Sequence, residues 1–354
     1  MPSNNQQVFL ELVRAGLWET DVKLRDSKDV DYNEVYRLAE KQSVFGLVAA
    51  GLEHVEGVKV SQEVALTFAG RALQLECRNR EMNSFVASVT EEMRTADIYG
   101  VLVKGSGLAQ CYERPLWRSF GDVDFFFSDK EYDKAVSFFA SLKNAKEVQN
   151  AHYTKSFGVI IDPWFIELHG TLRNGLSTRM DKEIDAVQRD LFYGGNVRSW
   201  DNNGTTIFLP SPDNDVFLVF VHFVRHFFKE GVCLRQICDW CRLLWTFRGE
   251  INIKLLKKRL IRAGLIKEWR AFAAMAVDYL GMPSDAFPLY STVNKWHKKG
   301  RRIMDLILHE GEHGKVRNTL HLAIIFPWNT IQFLPSIFFN LNGLKIKERL
   351  LSHR

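Results

Sequence analysis

The residues best suited to chemistry lie in two short runs, Gly121-Asp122-Val123-Asp124 leading into Phe125-Phe126-Phe127, and Trp164-Phe165-Ile166-Glu167-Leu168-His169-Gly170. Side chains two apart on a strand share a face. Asp122 and Asp124 therefore project together, while Val123, Phe125 and Phe127 turn to the opposite side and the core. Aspartate is a poor strand residue, and a buried carboxylate is costly unless something holds it. Two carboxylates roughly 6 Å apart repel by about 3 kcal/mol at an effective dielectric near 20. A divalent cation turns that repulsion into binding, and hard oxygen ligands in a pair suit Mg²⁺ or Mn²⁺. Glu167 supplies a third carboxylate, and His169, two residues on, shares its face. Three carboxylates on adjacent strands can hold two metal ions, activating an attacking hydroxyl and stabilising the leaving oxygen of an in-line displacement at phosphorus.

Upstream, Lys104-Gly105-Ser106-Gly107 follows a short apolar run and precedes a helix start. Glycines there let backbone N–H groups approach phosphate oxygens. The motif is neither a Walker loop nor a dinucleotide fingerprint, which need more glycines at fixed offsets. Lys104 and Arg118 can reach triphosphate oxygens, or pair with carboxylates when no metal is bound. His222 and His226 stand one helical turn apart with Cys233, Cys238 and Cys241 close behind. Cys238 and Cys241 fall in an amphipathic run with Trp240 and Leu243, where small apolar cysteines pack well. His169, His222, His226, Arg235 and Asp239 are therefore read as a wall of an acceptor cleft rather than as a zinc site, with Arg235 and Asp239 also spaced to pair on one helix.

The elements that must position these groups alternate in character. Residues 5–97 repeat apolar side chains at helical spacing, with no proline from 3 to 114. Gly100–Gly105 and Asp122–Phe127 read as strands, 131–142 as a helix, and the runs on either side of Asp162-Pro163 as a hairpin. Residues 100–172 thus form an α/β island in a helical chain. Ser211-Pro212 opens a further helical stretch. The expected division is a helical region 1–97, an α/β core 98–208 and a helical domain 209–354.

With 354 residues, 46% of them hydrophobic and 25% charged, the chain can build a full core and is not of disordered composition. A net charge of +5 permits an anionic substrate or partner but does not demand nucleic acid, whose binders usually show a denser basic face. A polar start without a signal-like segment and five cysteines argue for a cytoplasmic protein without a disulfide framework. The apolar stretch 319–344 holds Pro327, Pro335, Asn329, Gln332 and Asn340, which make a spanning helix expensive. A peripheral membrane or partner contact, or a buried helix, suits it better.

Taken together, the Gly105-Ser106 turn, the Asp122-Val123-Asp124 strand and Glu167 resemble, in order, the pattern of the DNA polymerase beta-like nucleotidyltransferase superfamily. The fuller run, from Lys104-Gly105-Ser106-Gly107 through Ile166-Glu167-Leu168-His169-Gly170 to Leu234–Trp240, is similar to a bacterial branch of uncharacterised nucleotidyltransferases. The resemblance implies an α+β fold, its small mixed β-sheet core (residues ~100–172) embedded between helical N- and C-terminal regions. It further implies that Asp122, Asp124 and Glu167 are the catalytic, metal-binding carboxylates, with Mg²⁺ or Mn²⁺ as cofactor. It also implies that Gly105 and Ser106 cradle a nucleoside triphosphate such as ATP, whose oxygens Lys104 and Arg118 are of a type to meet. The reaction implied is transfer of a nucleoside monophosphate to an acceptor hydroxyl with release of pyrophosphate. The acceptor stays open among small molecules, sugars, proteins and nucleic acid. Two departures from the family pattern are a longer spacer between Ser106 and Asp122, and Glu where the third acid is more often Asp. Alternatives are an Asp-x-Asp glycosyltransferase using a nucleotide sugar, and a catalytically silent binding module.

Overall fold

The computed structural model describes residues 3–24, 30–57, 60–151, 155–310, 322 and 324–333. Three helices open the chain: α1 (Asn4–Trp18), α2 (Tyr32–Lys41) and α3 (Phe45–Glu53). Ser3 and Gln6 close a capping box on α1, which satisfies two of its orphan N–H groups. The continuous periodicity over 32–55 is broken into α2 and α3 by Ser43, which adopts φ 54. Helices α1 and α3 meet backbone to backbone. A Cβ on Gly16 would fall 1.9 Å from the Leu47 carbonyl oxygen, and one on Gly51 would fall 2.1 Å from that of Leu12. α4 (Gln62–Thr95) is a single long helix capped by the Ser61 hydroxyl at Val64 N–H.

A mixed five-stranded sheet follows, in the order β1 (Val101–Val103), β2 (Asp122–Phe126), β5 (Trp164–His169), β4 (Ser156–Ile161), β3 (Ala145–Ala151). β2 and β5 run parallel and every other neighbouring pair is antiparallel. α5 (Gly105–Ala109) and a 3-10 turn at Pro115–Trp117 link β1 to β2, and α6 (Tyr132–Ser141) links β2 to β3. The fold is α+β, with the small mixed sheet between flanking helices.

Strand alternation gives the sheet two different faces. Val123, Phe125, Phe127, Phe157, Val159, Ile166 and Leu168 pack into one cluster with Met82 and Val86 of α4 and Phe139 of α6. The opposite face carries Asp122, Asp124, Ser156, Glu167 and His169. On that side Val101, Val103 and Phe126 join a second cluster, shared with α1 to α3 and with the later helices. These are α7 (Thr178–Phe192), α8 (Pro212–Lys229), α9 (Leu234–Thr246), α10 (Ile253–Ala263), α11 (Ile266–Leu280) and α12 (Asn294–Glu310). The end of α1 meets the end of α11 directly, with the Trp18 indole donating to Leu280 O at 2.6 Å.

β3, α7, β6 and β7 were not foreseen: β3 is a polar edge strand, and β6 (Val197–Asn202) with β7 (Thr205–Pro210) forms a separate hairpin in a polar, glycine-rich stretch. Of the apolar stretch 319–344, residues 322 and 324–333 are described, and the rest lies outside the described residues. Among the described residues no helix is long and apolar enough to cross a membrane.

Candidate active site

β2 and β5 run side by side with Asp124 directly opposite Glu167 and Asp122 opposite Phe165. The parallel register therefore sets a carboxylate from each strand shoulder to shoulder on the face away from the α4/α6 core. His169 stands two residues beyond Glu167 on the same face. Its Nε2 lies 2.8 Å from Asp124 Oδ1 and 3.6 Å from Glu167 Oε2. Asp124, Glu167 and His169 each offer a ligand atom within 4.8 Å of the others, so the three could hold a metal ion. Ser156, on the neighbouring β4, donates to Glu167 Oε1 at 2.9 Å and fixes that carboxylate's orientation.

Lys104 completes the cluster. It leaves β1 at φ 59 and Gly105 follows at φ 39, so two successive residues occupy the left-handed region. Glycine adopts that region freely and lysine does so at a steric cost of order 1 kcal/mol. The turn aims the Lys104 ammonium at Asp124 Oδ1, 2.8 Å away. Burial alone would push the Asp124 carboxyl up, but the Lys104 ammonium and the His169 hydrogen bond outweigh it and hold the carboxyl below its ordinary range. Asp122 goes the other way, raised first by the Asp124 charge beside it and then by burial. Burial would release the Lys104 proton, yet the surrounding carboxylates, Asp124 foremost, keep it bound. The sheet face is an anionic cluster with one ammonium in it, and hard oxygen donors beside an imidazole fit a divalent cation.

A cleft of about 880 Å³ opens over this face. Asp122, Asp124, Glu167, His169, Lys104 and Gly105 line one wall, and His222, Arg225, His226 and Lys229 of α8 line the facing one. The His222 and His226 rings meet edge to face with centroids 4.5 Å apart, and His226 Nδ1 sits 3.0 Å from Glu230. Burial pushes His222 well below its ordinary range, so it is neutral. Ser106 is buried and does not line the cleft.

Arg118 also lines the cleft, with its guanidinium paired to a carboxylate. Its guanidinium clamps Asp239 of α9 with two bonds, Nε to Oδ1 at 2.7 Å and Nη2 to Oδ2 at 2.6 Å, both side chains nearly fully buried. The Tyr112 hydroxyl donates to the same carboxylate at 2.8 Å. Asp239 thus pairs across the fold with Arg118 rather than along its own helix with Arg235, which donates instead to Ser119 O at 3.2 Å. The pair borders the cleft and ties α9 to the segment that leads into β2. Cys233, Cys238 and Cys241 are buried and form no disulfide, and Cys238 and Cys241 pack inside α9 as their amphipathic setting predicts. Among the described residues the Asp124–Glu167–His169 group is the one cluster with metal-ligand spacing.

Ser156 and Tyr112 were missed. A serine at a strand start and a tyrosine after a short helix carry no signal until their partners, on other elements, are known.

Comparison with known proteins agrees with this geometry. A family described as "Uncharacterised nucleotidyltransferase" matches residues 28–281, and the chain belongs to that family. The matched stretch contains the whole sheet, the Lys104 turn and the α8–α9 wall. No curated protein and no solved structure gives a significant match.

Proposed function

We propose that the protein is a metal-dependent nucleotidyltransferase that moves a nucleoside monophosphate from a nucleoside triphosphate to an acceptor hydroxyl, releasing pyrophosphate. The observation that carries this reading is the side-by-side placement of Asp124 and Glu167 on parallel strands, with Asp122 and His169 on the same face and Lys104 held against them. Asp122, Asp124 and Glu167 would hold Mg²⁺ or Mn²⁺, with His169 in ligand reach. When bound, the ion supplies charge neutralisation at the triphosphate and a lowered pKa for the attacking hydroxyl.

The chain's own residues have distinct tasks. Lys104 neutralises Asp124 before substrate arrives and lies close enough to the carboxylates to meet triphosphate oxygens drawn to the same place. Gly105 lets the backbone approach those oxygens without a side chain in the way. Glu167, fixed by Ser156 and partly open to the cleft, accepts the acceptor hydroxyl's proton. The acceptor oxygen then bonds to the α-phosphorus as the bridging oxygen to the β-phosphorus leaves with pyrophosphate. The α8 wall, with neutral His222, shapes the acceptor side of the cleft. Arg118 and Asp239 act by holding the wall in place.

The test is incubation with α-labelled NTPs, Mg²⁺ and a panel of hydroxyl acceptors, following pyrophosphate release and label transfer. Wild type should release pyrophosphate, and Asp124→Asn should lose at least 100-fold. Equal rates for the two proteins, or release that ignores metal, would sink the reading.

A further inference from the structure

Residues 322 and 324–333 end the described chain, and they are two-faced. Leu322, Ile325, Phe326 and Phe333 are buried, and Phe333 packs edge to face on Phe228 of α8 with centroids 4.9 Å apart. Asn329 and Thr330 are buried beside them. The other face is apolar as well: Ile324 is 50% exposed, Trp328 73% and Ile331 63%. Residues 327–333 are helical, so Trp328 and Ile331, three apart, share one stripe, with Ile324 just before the bend at Phe326 and exposed Pro327 between them. No charged residue occurs between 322 and 333. An exposed stripe built around tryptophan, on a helix already anchored by its opposite face, is a surface made for contact.

The neighbourhood identifies the partner by charge. Lys299 of α12 donates to Ile325 O, and its ammonium lies 4.7 Å over the Phe326 ring. Lys267, Lys295 and Arg302 lie close enough to Lys299 to lower its pKa, after burial, and all three are exposed. The first nine residues of α12 hold five cations and no acid. Glu268 is buried beneath them, beside Asn329, and its attraction for Lys299 opposes the three cations. An apolar stripe bordered by lysine and arginine is complementary to an anionic lipid surface, where acyl chains take the stripe and headgroup phosphates take the cations. A protein groove would have to supply both an apolar slot and an acidic rim. A leaflet supplies both everywhere.

We infer that the face formed by Ile324, Trp328 and Ile331 with Lys295, Lys299 and Arg302 docks the protein peripherally on an anionic membrane. Docking would hold the protein at a bilayer without spanning it. The inference is independent of the proposed reaction.

The test is co-sedimentation of the full chain with vesicles of phosphatidylcholine alone or with about a third phosphatidylglycerol. Wild type should pellet with the anionic vesicles and not with the neutral ones, and 0.5 M salt should release it. Trp328→Ser/Ile331→Ser, at exposed positions, should keep the wild-type melting temperature and bind at least tenfold more weakly. Lys295→Glu/Arg302→Glu should weaken binding by about fivefold or more for each reversed charge. Failure of wild type to bind anionic vesicles overturns the inference, and so does binding unchanged in both variants. Concentration-dependent self-association abolished by Trp328→Ser/Ile331→Ser, without vesicle binding, would assign the face to a second copy and overturn it too.

Discussion

The Arg118–Asp239 pair makes the sharpest prediction about how the cleft is held together. Both side chains are nearly fully buried, and two bonds of 2.6 and 2.7 Å join them. Removing Asp239 strands a guanidinium in the interior and leaves the Tyr112 hydroxyl without its acceptor. An uncompensated buried charge costs about 3–5 kcal/mol, a large share of a typical domain's 5–15 kcal/mol stability. Arg118→Met should cost a similar amount, because it leaves the carboxylate buried. The double variant Arg118→Met/Asp239→Leu removes both charges and replaces them with apolar volume, so it should return to within about 2 kcal/mol of wild type. Urea unfolding of the four proteins gives the coupling directly as a double-mutant cycle. The cycle also separates two roles for Arg118, because the double variant should bind NTP as wild type does if the guanidinium acts only as a brace. Single-variant costs that simply add in the double variant would refute the buried-pair reasoning. A folded double variant that has lost NTP binding would return Arg118 to the nucleotide.

Three further outcomes follow from the same structure. Burial raises the Glu268 carboxyl from 4.5 to about 7. The folded chain therefore keeps a proton that the unfolded chain releases, and stability falls as pH rises from about 4.5 to 7, by about 3 kcal/mol. Glu268→Gln should flatten that fall and melt above wild type at pH 8, and parallel pH–melting curves would refute it. Lys104→Met should destabilise the metal-free protein by leaving Asp124 buried without its ammonium, and Mg²⁺ should raise its melting temperature more than that of wild type. An equal Mg²⁺ shift in both proteins would contradict this. Gly51→Ala places a Cβ 2.1 Å from the Leu12 carbonyl oxygen, so α1 and α3 must separate, at a cost above ~2 kcal/mol measured by urea unfolding. A cost under 0.5 kcal/mol would mean that the two helices yield.

What could be read in the sequence was local and periodic. The alternation Asp122-Val123-Asp124-Phe125 states which face is core and which is polar. The Asp162-Pro163 turn marks the β4–β5 hairpin, and Ser211-Pro212 marks the start of α8. What stayed hidden depended on partners distant in sequence. Arg118 and Asp239 lie 121 residues apart, and His169 and Asp124 lie 45 apart. Nothing local says that they meet. β3 was invisible because an edge strand with solvent on most of its side chains shows no apolar alternation. The β6–β7 hairpin did carry a signal. Asn203-Gly204 adopts φ 54 and 93, the left-handed pair of a tight hairpin turn, but the polar residues around it hide the strand alternation.

The most direct test of the central claim is calorimetric titration of a non-hydrolysable NTP into wild type and Asp122→Asn/Asp124→Asn, with and without Mg²⁺. The carboxylate site predicts that Mg²⁺ tightens binding at least tenfold in wild type and has no effect in the double variant. Binding of equal strength with and without Mg²⁺ in wild type, or an unchanged Mg²⁺ effect in the variant, would contradict it.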